Sequence, residues 1–199
     1  MMDDCRLSSR TTAPLKRRVS LPISGLTVFL FCLVCAPVIW GQHSFRMEDL
    51  EAAMLERITG FIQWPSQTHA DGQEFVITIL GGAAIAPRLT YLYEQRRAQG
   101  FASRIHQIAT RAEIGTTHVL FIGTEFAKEL EAILAMIGGN ATLTVGNTPG
   151  FGKRGVAVNL IRDKARVRFE VNRKALDQAG LRASYRLLDL AKLVTGGHE

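Results

Sequence analysis

Residues 74–82, EFVITILGG, are a continuous β-branched and apolar run closed by two glycines. A strand with one face in water alternates apolar and polar side chains, and this one does not. It therefore needs cover on both faces, as in a parallel sheet between helical layers. HVLFIG (118–123) repeats the pattern, Arg104–Ala109 reads as a shorter strand, and ATLTV (141–145) as a fourth. Helical stretches lie between them. One runs from about Ala84 to Gln99 with Ile85, Leu89, Leu92 and Tyr93. The next, Glu125–Ile137, carries Phe126, Leu130, Ile133, Leu134 and Ile137 on one face and ends at Gly138-Gly139. Strand–helix alternation of this kind implies a parallel sheet with helices on both sides.

The rhythm changes after residue 145. GNTPGFGKRG (146–155) is a glycine-rich loop, which reads as a mobile surface turn. VAVNLIR (156–162) and RVRFEVN (166–172) are separated only by Asp163–Ala165, so they form an antiparallel hairpin at the sheet's edge. Two helices follow, near Arg173–Ala179 and over Ser184–Val194, with Ser184 as N-cap and Tyr185, Leu188 and Ala191 facing the core. At the other end, Leu50, Met54, Ile58, Phe61 and Ile62 recur at helical spacing behind Glu48, Asp49 and Glu51. Pro65 is expected to stop that helix, leaving Trp64 extended just beyond it. The expected fold is α/β: a mostly parallel sheet flanked by helices, with a C-terminal antiparallel hairpin.

Residues 1–41 read as a separate segment. Lys16-Arg17-Arg18 precedes a long uncharged stretch, VSLPISGLTVFLFCLVCAPVIWGQ, which describes a secretory signal peptide. Cleavage is expected after Gly41, with Ala36 as the alternative; an uncleaved membrane anchor is the other reading. Basic residues stay on the cytoplasmic side, so both readings export residues 42–199 as a single domain. Cys32 and Cys35 follow Phe31 and Val34, which argues against a lipoprotein site. All three cysteines lie in the leader, so the exported domain has no thiol and no disulfide. Removing the leader's five basic and two acidic residues lowers the net charge from +6 to +3. No basic stripe remains for nucleic acid.

Catalytic chemistry is hard to find. The loop NTPGFGKRG has Asn147 and Arg154 where a phosphate-binding loop needs Gly and Ser/Thr, and a strand follows it instead of a helix. The turn LGGAAIAP lacks G-x-G-x-x-G spacing, although Gly81, Gly82 and Arg88 could receive an anion at a helix start. Of His43, His69, His106, His118 and His198, none pairs at i, i+4, so no metal site is expected. His118, opening a buried strand, reads as a structural residue. With no G-x-S-x-G and no S-x-x-K, the domain reads as non-enzymatic, without catalytic residues or cofactor. Surface aromatics remain. Trp64, Phe151 on the glycine loop and Phe101 need not be buried, and such aromatics are enriched at partner contacts. Trp64 stays open between core and contact.

The ordered motifs are similar to those of the YfiR family of periplasmic proteins. They are F-I-x-W-P at 61–65, FVITILG, H-V-L-F-I-G at 118–123, T-V-G-N-T-P-G-F at 144–151, the pair VAVNLI and VRFEVN, and A-G-L-R-A-S-Y-R-L-L-D-L-A-K-L-V at 179–194. The resemblance implies an exported α/β domain, often a homodimer. It also implies a regulator that binds the periplasmic sensor domain of a membrane-bound diguanylate cyclase and holds it inactive. Partner contacts are then expected at Phe61, Ile62, Trp64, Pro65, Phe151, Lys153 and Arg154. The alternative is a periplasmic module binding a small anion or nucleotide at Gly81, Gly82 and Arg88. Redox-sensing members carry cysteines in the folded domain, and this chain has none beyond residue 35.

Overall fold

The structure, a computed structural model, describes residues 46–65, 74–95, 102–164 and 166–196. The leader 1–41, Phe101, His43, His69, His198 and the end of the 84–99 helix lie outside the described residues.

Helix α1 spans Met47–Gly60. Asp49 accepts the Arg46 N–H at 3.0 Å, and Glu48 and Asp49 place negative charge at the helix start, where the dipole favours it. Its buried face is Glu51, Ala52, Leu55, Ile58 and Thr59. The period is the expected one, but its phase is rotated from the Leu50–Met54 stripe. Ala52, Leu55 and Ile58 join the main core, and a carboxylate falls on the same face. Glu51, 1% exposed, accepts Arg162 Nε at 2.6 Å and Nη2 at 3.1 Å. That pairing lets a carboxylate occupy a core position.

The helix ends at Gly60, five residues before Pro65, because the next backbone groups are claimed elsewhere. Strand β1 (Ile62–Gln63) pairs antiparallel with β8 (Arg182–Ala183), Ile62 opposite Ala183 and Gln63 opposite Arg182. Pro65 is thus not the terminator.

The main sheet contains β2 (Phe75–Leu80), β3 (Ser103–Ile108), β4 (Val119–Ile122), β5 (Leu143–Gly146), β6 (Val158–Asp163), β7 (Arg166–Asn172) and β9 (Lys192–Val194). Their spatial order is β3-β2-β4-β5-β6-β7-β9. All neighbours run parallel except β6 and β7, the expected hairpin. Helices α2 (Ala86–Gln95) and α3 (Leu130–Ile137) cross over between parallel strands. Alternate residues feed two cores. Ile77, Ile79, Val119, Phe121, Leu143 and Val145 pack with α1 and α2 on one face. Leu80, Leu120 and Ile122 pack with α3 and Phe151 on the other. This is the double burial that the unbroken apolar runs require.

Two expectations fail locally. The segment 125–137 is a 3-10 turn at Thr124–Phe126 followed by α3, not one helix. The 184–194 segment splits into α5 (Tyr185–Leu190) and β9, after α4 (Arg173–Gln178). Ser184 does cap α5, accepting the Leu187 N–H at 3.3 Å. The buried residue is Leu187, while Tyr185 is 76% exposed. β9 exists because β7 offers an open edge: Leu193 aligns with Val171, and Lys192 Nζ donates to Glu170 Oε1 at 3.0 Å. Sheet pairing overrides helical propensity here. The hairpin is consequently not the edge of the sheet.

Candidate partner-binding surface

The β1–β8 pair joins two segments far apart in sequence. Ser184 N–H donates to Phe61 O at 2.9 Å, one step beyond the Ile62–Ala183 register. A Cβ at Gly180 would lie 3.8 Å from Pro65 Cγ, so Pro65 packs beside the turn into β8. Phe61 and Tyr185 lie at one end of this clasp and remain in water, 39% and 76% exposed. The Arg186 guanidinium lies 5.9 Å from the Tyr185 ring centroid. Gln63 and Arg182, paired at the other end of the clasp, are also exposed.

The other sequence candidates divide. Ile62 is 2% exposed and belongs to the core. Trp64 is half-buried; its ring meets Phe75 edge-on, 5.3 Å between centroids at 87°. Phe75 in turn stacks on His118 at 4.8 Å, and His118 Nδ1 accepts the Val76 N–H at 2.9 Å. His118 is structural, as expected, and most of the indole serves packing.

Phe151 is fully buried, which corrects its reading as an exposed loop tip. Gly146 makes room: a Cβ there would come 2.6 Å from Phe151 Cδ2. The loop around it is pinned rather than mobile. Arg154 makes a two-pronged contact with Glu131 (2.8 and 2.9 Å) and donates to Ala127 O at 2.7 Å. Asn159 Nδ2 donates to Thr148 O at 2.9 Å, and Asn172 Nδ2 to Gly152 O and Gly196 O, both at 2.8 Å. Asn147 reaches Glu51 on α1 at 3.3 Å. Arg154 is thereby a fastener of the loop onto α3, and Lys153 is its exposed cation.

The anion reading of Gly81 and Gly82 also needs correction. β2 sends the chain to β3 on one side and β4 sends it to β5 on the other, so their carboxyl ends form the switch point where open α/β sheets take ligands. Gly81 and Gly82 turn there with φ of +73° and +57°, values that side chains resist. The Gly82 N–H already faces the Glu125 carboxylate, 3.2 and 3.3 Å from its oxygens. Arg88 is paired with Asp49 at 2.7 Å. The protein's own acids occupy both groups.

Burial pushes the Tyr93 phenol up to about 12, against a smaller opposing pull from Thr59. The hydrogen bond that Arg162 donates to Glu51, with Glu48 nearby, holds Arg162 above its usual range. Among the described residues, no cluster of three or more His, Cys, Asp or Glu could hold a metal ion. No helix among them is long and apolar enough to cross a membrane.

The sequence matches the DUF4154 family, described as YfiR/HmsC-like, over residues 48–192. The chain belongs to the YfiR/HmsC-like family. Two of the family resemblance's motifs, F-I-x-W-P and A-G-L-R-A-S-Y, are the two halves of the β1–β8 clasp. Nothing in the sequence periodicity pairs them, because each strand is two residues long. No curated protein matches the chain. Two of the solved structures that the chain matches illustrate the shared fold. One is a conserved domain protein from Vibrio cholerae O1 biovar eltor str. N16961, with TM-score 0.50 and 14% identity, covering 75% of this chain. The other is the ABC domain from Streptococcus pneumonia in complex with L-Trp, with TM-score 0.50 and 8% identity, covering 74%. The chain spans 60% of the length of each.

Proposed function

We propose that this YfiR/HmsC-like protein is a periplasmic repressor. On this reading residues 1–41 direct export and 42–199 form the single regulatory domain. That domain binds the sensor domain of a membrane diguanylate cyclase, holds it inactive and lowers cyclic-di-GMP signalling. The observation that carries the reading is the clasp. It joins two motifs of the family resemblance and presents Phe61 and Tyr185 outward on a rigid backbone. Exposed aromatics on a fixed scaffold favour protein contacts.

A domain that acts by binding alone can silence a partner only by preferring one of its conformations. A useful shift needs a preference of roughly a few kcal/mol for the inactive sensor. Release cannot run through the domain's own thiols, since no cysteine follows Cys35.

Deleting the gene in a strain encoding a partner cyclase should raise cyclic-di-GMP. An unchanged level would sink the reading. A Phe61→Glu/Tyr185→Glu variant that keeps its thermal midpoint should reproduce the deletion. A neighbouring gene for a membrane protein with a GGDEF output domain would support the assignment.

A further inference from the structure

Helix α3 ends without the usual fittings. Its last turn carries no basic side chain, and Gly138, the residue after it, has φ −52° and ψ 135° and closes no hydrogen bond back onto the helix. A left-handed glycine cap or a nearby Lys, Arg or His ordinarily serves the last carbonyls of a helix. Among the described residues no backbone N–H beyond the helix reaches the carbonyls of Ala135 and Met136. α4 differs: the N–H groups of Ala179, Gly180 and Leu181 close its final turn onto Ala175, Asp177 and Leu176.

The end of α3 forms one side of a cavity of about 290 Å³, and the last turn of α4 forms the other. Its walls are apolar at Leu134, Ile137, Ala175 and Ala179, and no lining residue is charged. Hydrogen-bonding capacity is left over around it. Thr144, which lines it, is 6% exposed; its hydroxyl oxygen accepts the Ala157 N–H at 2.8 Å, and its own proton has no acceptor among the described residues. The side chains of Asn140 and Gln178, also in the lining, make no hydrogen bond among the described residues. An anion would meet neither a basic side chain nor a helix N-terminus here, and a charge buried without a partner is costly. A cation would meet the negative end of α3 and several oxygen acceptors. An ammonium group has three N–H donors to place on them.

We propose that this cavity binds a small primary amine that carries no acid group. Its ammonium sits at the carboxyl end of α3, and its apolar body lies between α3 and α4. The lining shares no residue with the β1–β8 clasp, and the proposal does not depend on the cyclase reading.

The test titrates the full chain with benzylamine, benzyl alcohol and benzoate, three probes with one ring and different charge, and follows backbone amide shifts by NMR. Benzylamine should bind saturably, moving amides at 134–144 and 175–179. It should bind about two- to fivefold tighter than benzyl alcohol, the worth of a cation at a helix C-terminus, and benzoate should not bind. Asn140→Lys puts the protein's own cation at that helix end. It should weaken benzylamine by the same about two- to fivefold and leave benzyl alcohol unchanged, with no loss of thermal midpoint. Ala179→Trp fills the cavity and should remove binding of both; where that variant does not fold, Asn140→Lys alone decides. No saturable binding of benzylamine, equal or tighter binding of the alcohol or the acid, shifts confined to other residues, or indifference to Asn140→Lys would each overturn the proposal.

Discussion

Trp64 and Arg162 show how single side chains acquire their roles. Trp64 lies beyond the helix end, yet its edge-on contact with Phe75 ties it to the main core. Trp64→Ala should cost about 3 kcal/mol, the low end for a large buried aromatic because the ring is half-buried. Chemical denaturation measures it, and a loss below about 1 kcal/mol would return Trp64 to the surface class. Arg162 is half-exposed, but its partner Glu51 is sealed. Arg162→Ala leaves a buried carboxylate unpaired and should cost about 3 kcal/mol. Replacing Glu51 and Arg162 together, by Leu and Ala, should cost less than Arg162→Ala alone. If the double change costs more, the pair is not coupled in this way.

At the level of elements, the C-terminal segment is the informative case. Ser184, a capping residue followed by Leu187 and Leu188, announces a helix, and one forms. It lasts only to Leu190 because Lys192–Val194 finds ladder partners on β7. Ending the chain after Ala191 should remove β9 and the Asn172–Gly196 contact together. The expected loss is about 2–3 kcal/mol, a few hydrogen bonds at their usual net strength. Hydrogen exchange should rise at Glu170–Asn172 while β2 and β4 stay protected. Uniform exchange across the sheet would mean that β9 is not a local cap but part of the cooperative unit.

For the whole molecule, stability should fall at alkaline pH. The folded state holds the Tyr93 phenol up to about 12, while in the unfolded chain it titrates near its ordinary value of 10. Above pH 10 the unfolded state loses this proton first, so unfolding is favoured as pH rises. The stabilisation is fully present below pH 10 and lost progressively up to about 12. The total is on the order of 2–3 kcal/mol, from a shift of about two units. Tyr93→Phe should flatten that part of the stability–pH curve; an unchanged curve would show that Tyr93 does not drive it.

The layered α/β architecture was readable from residues alone. FVITIL and VLFI are β-branched or apolar at consecutive positions, and backbone geometry then demands cover on both faces. The hairpin and the Ser184 cap were equally local matters of loop length and side-chain oxygen. What could not be read was which distant groups would meet. Phe151 looked exposed among glycines, but those glycines, Gly146 above all, are what let the ring enter the core. Gly82 looked ready for an anion until Glu125 came to face it across 43 residues. The β1–β8 clasp spans the domain with strands too short to leave a periodic signal. Local propensity acts over a few residues, whereas burial of a charge or closure of a sheet edge depends on chain segments that meet only once the fold is complete.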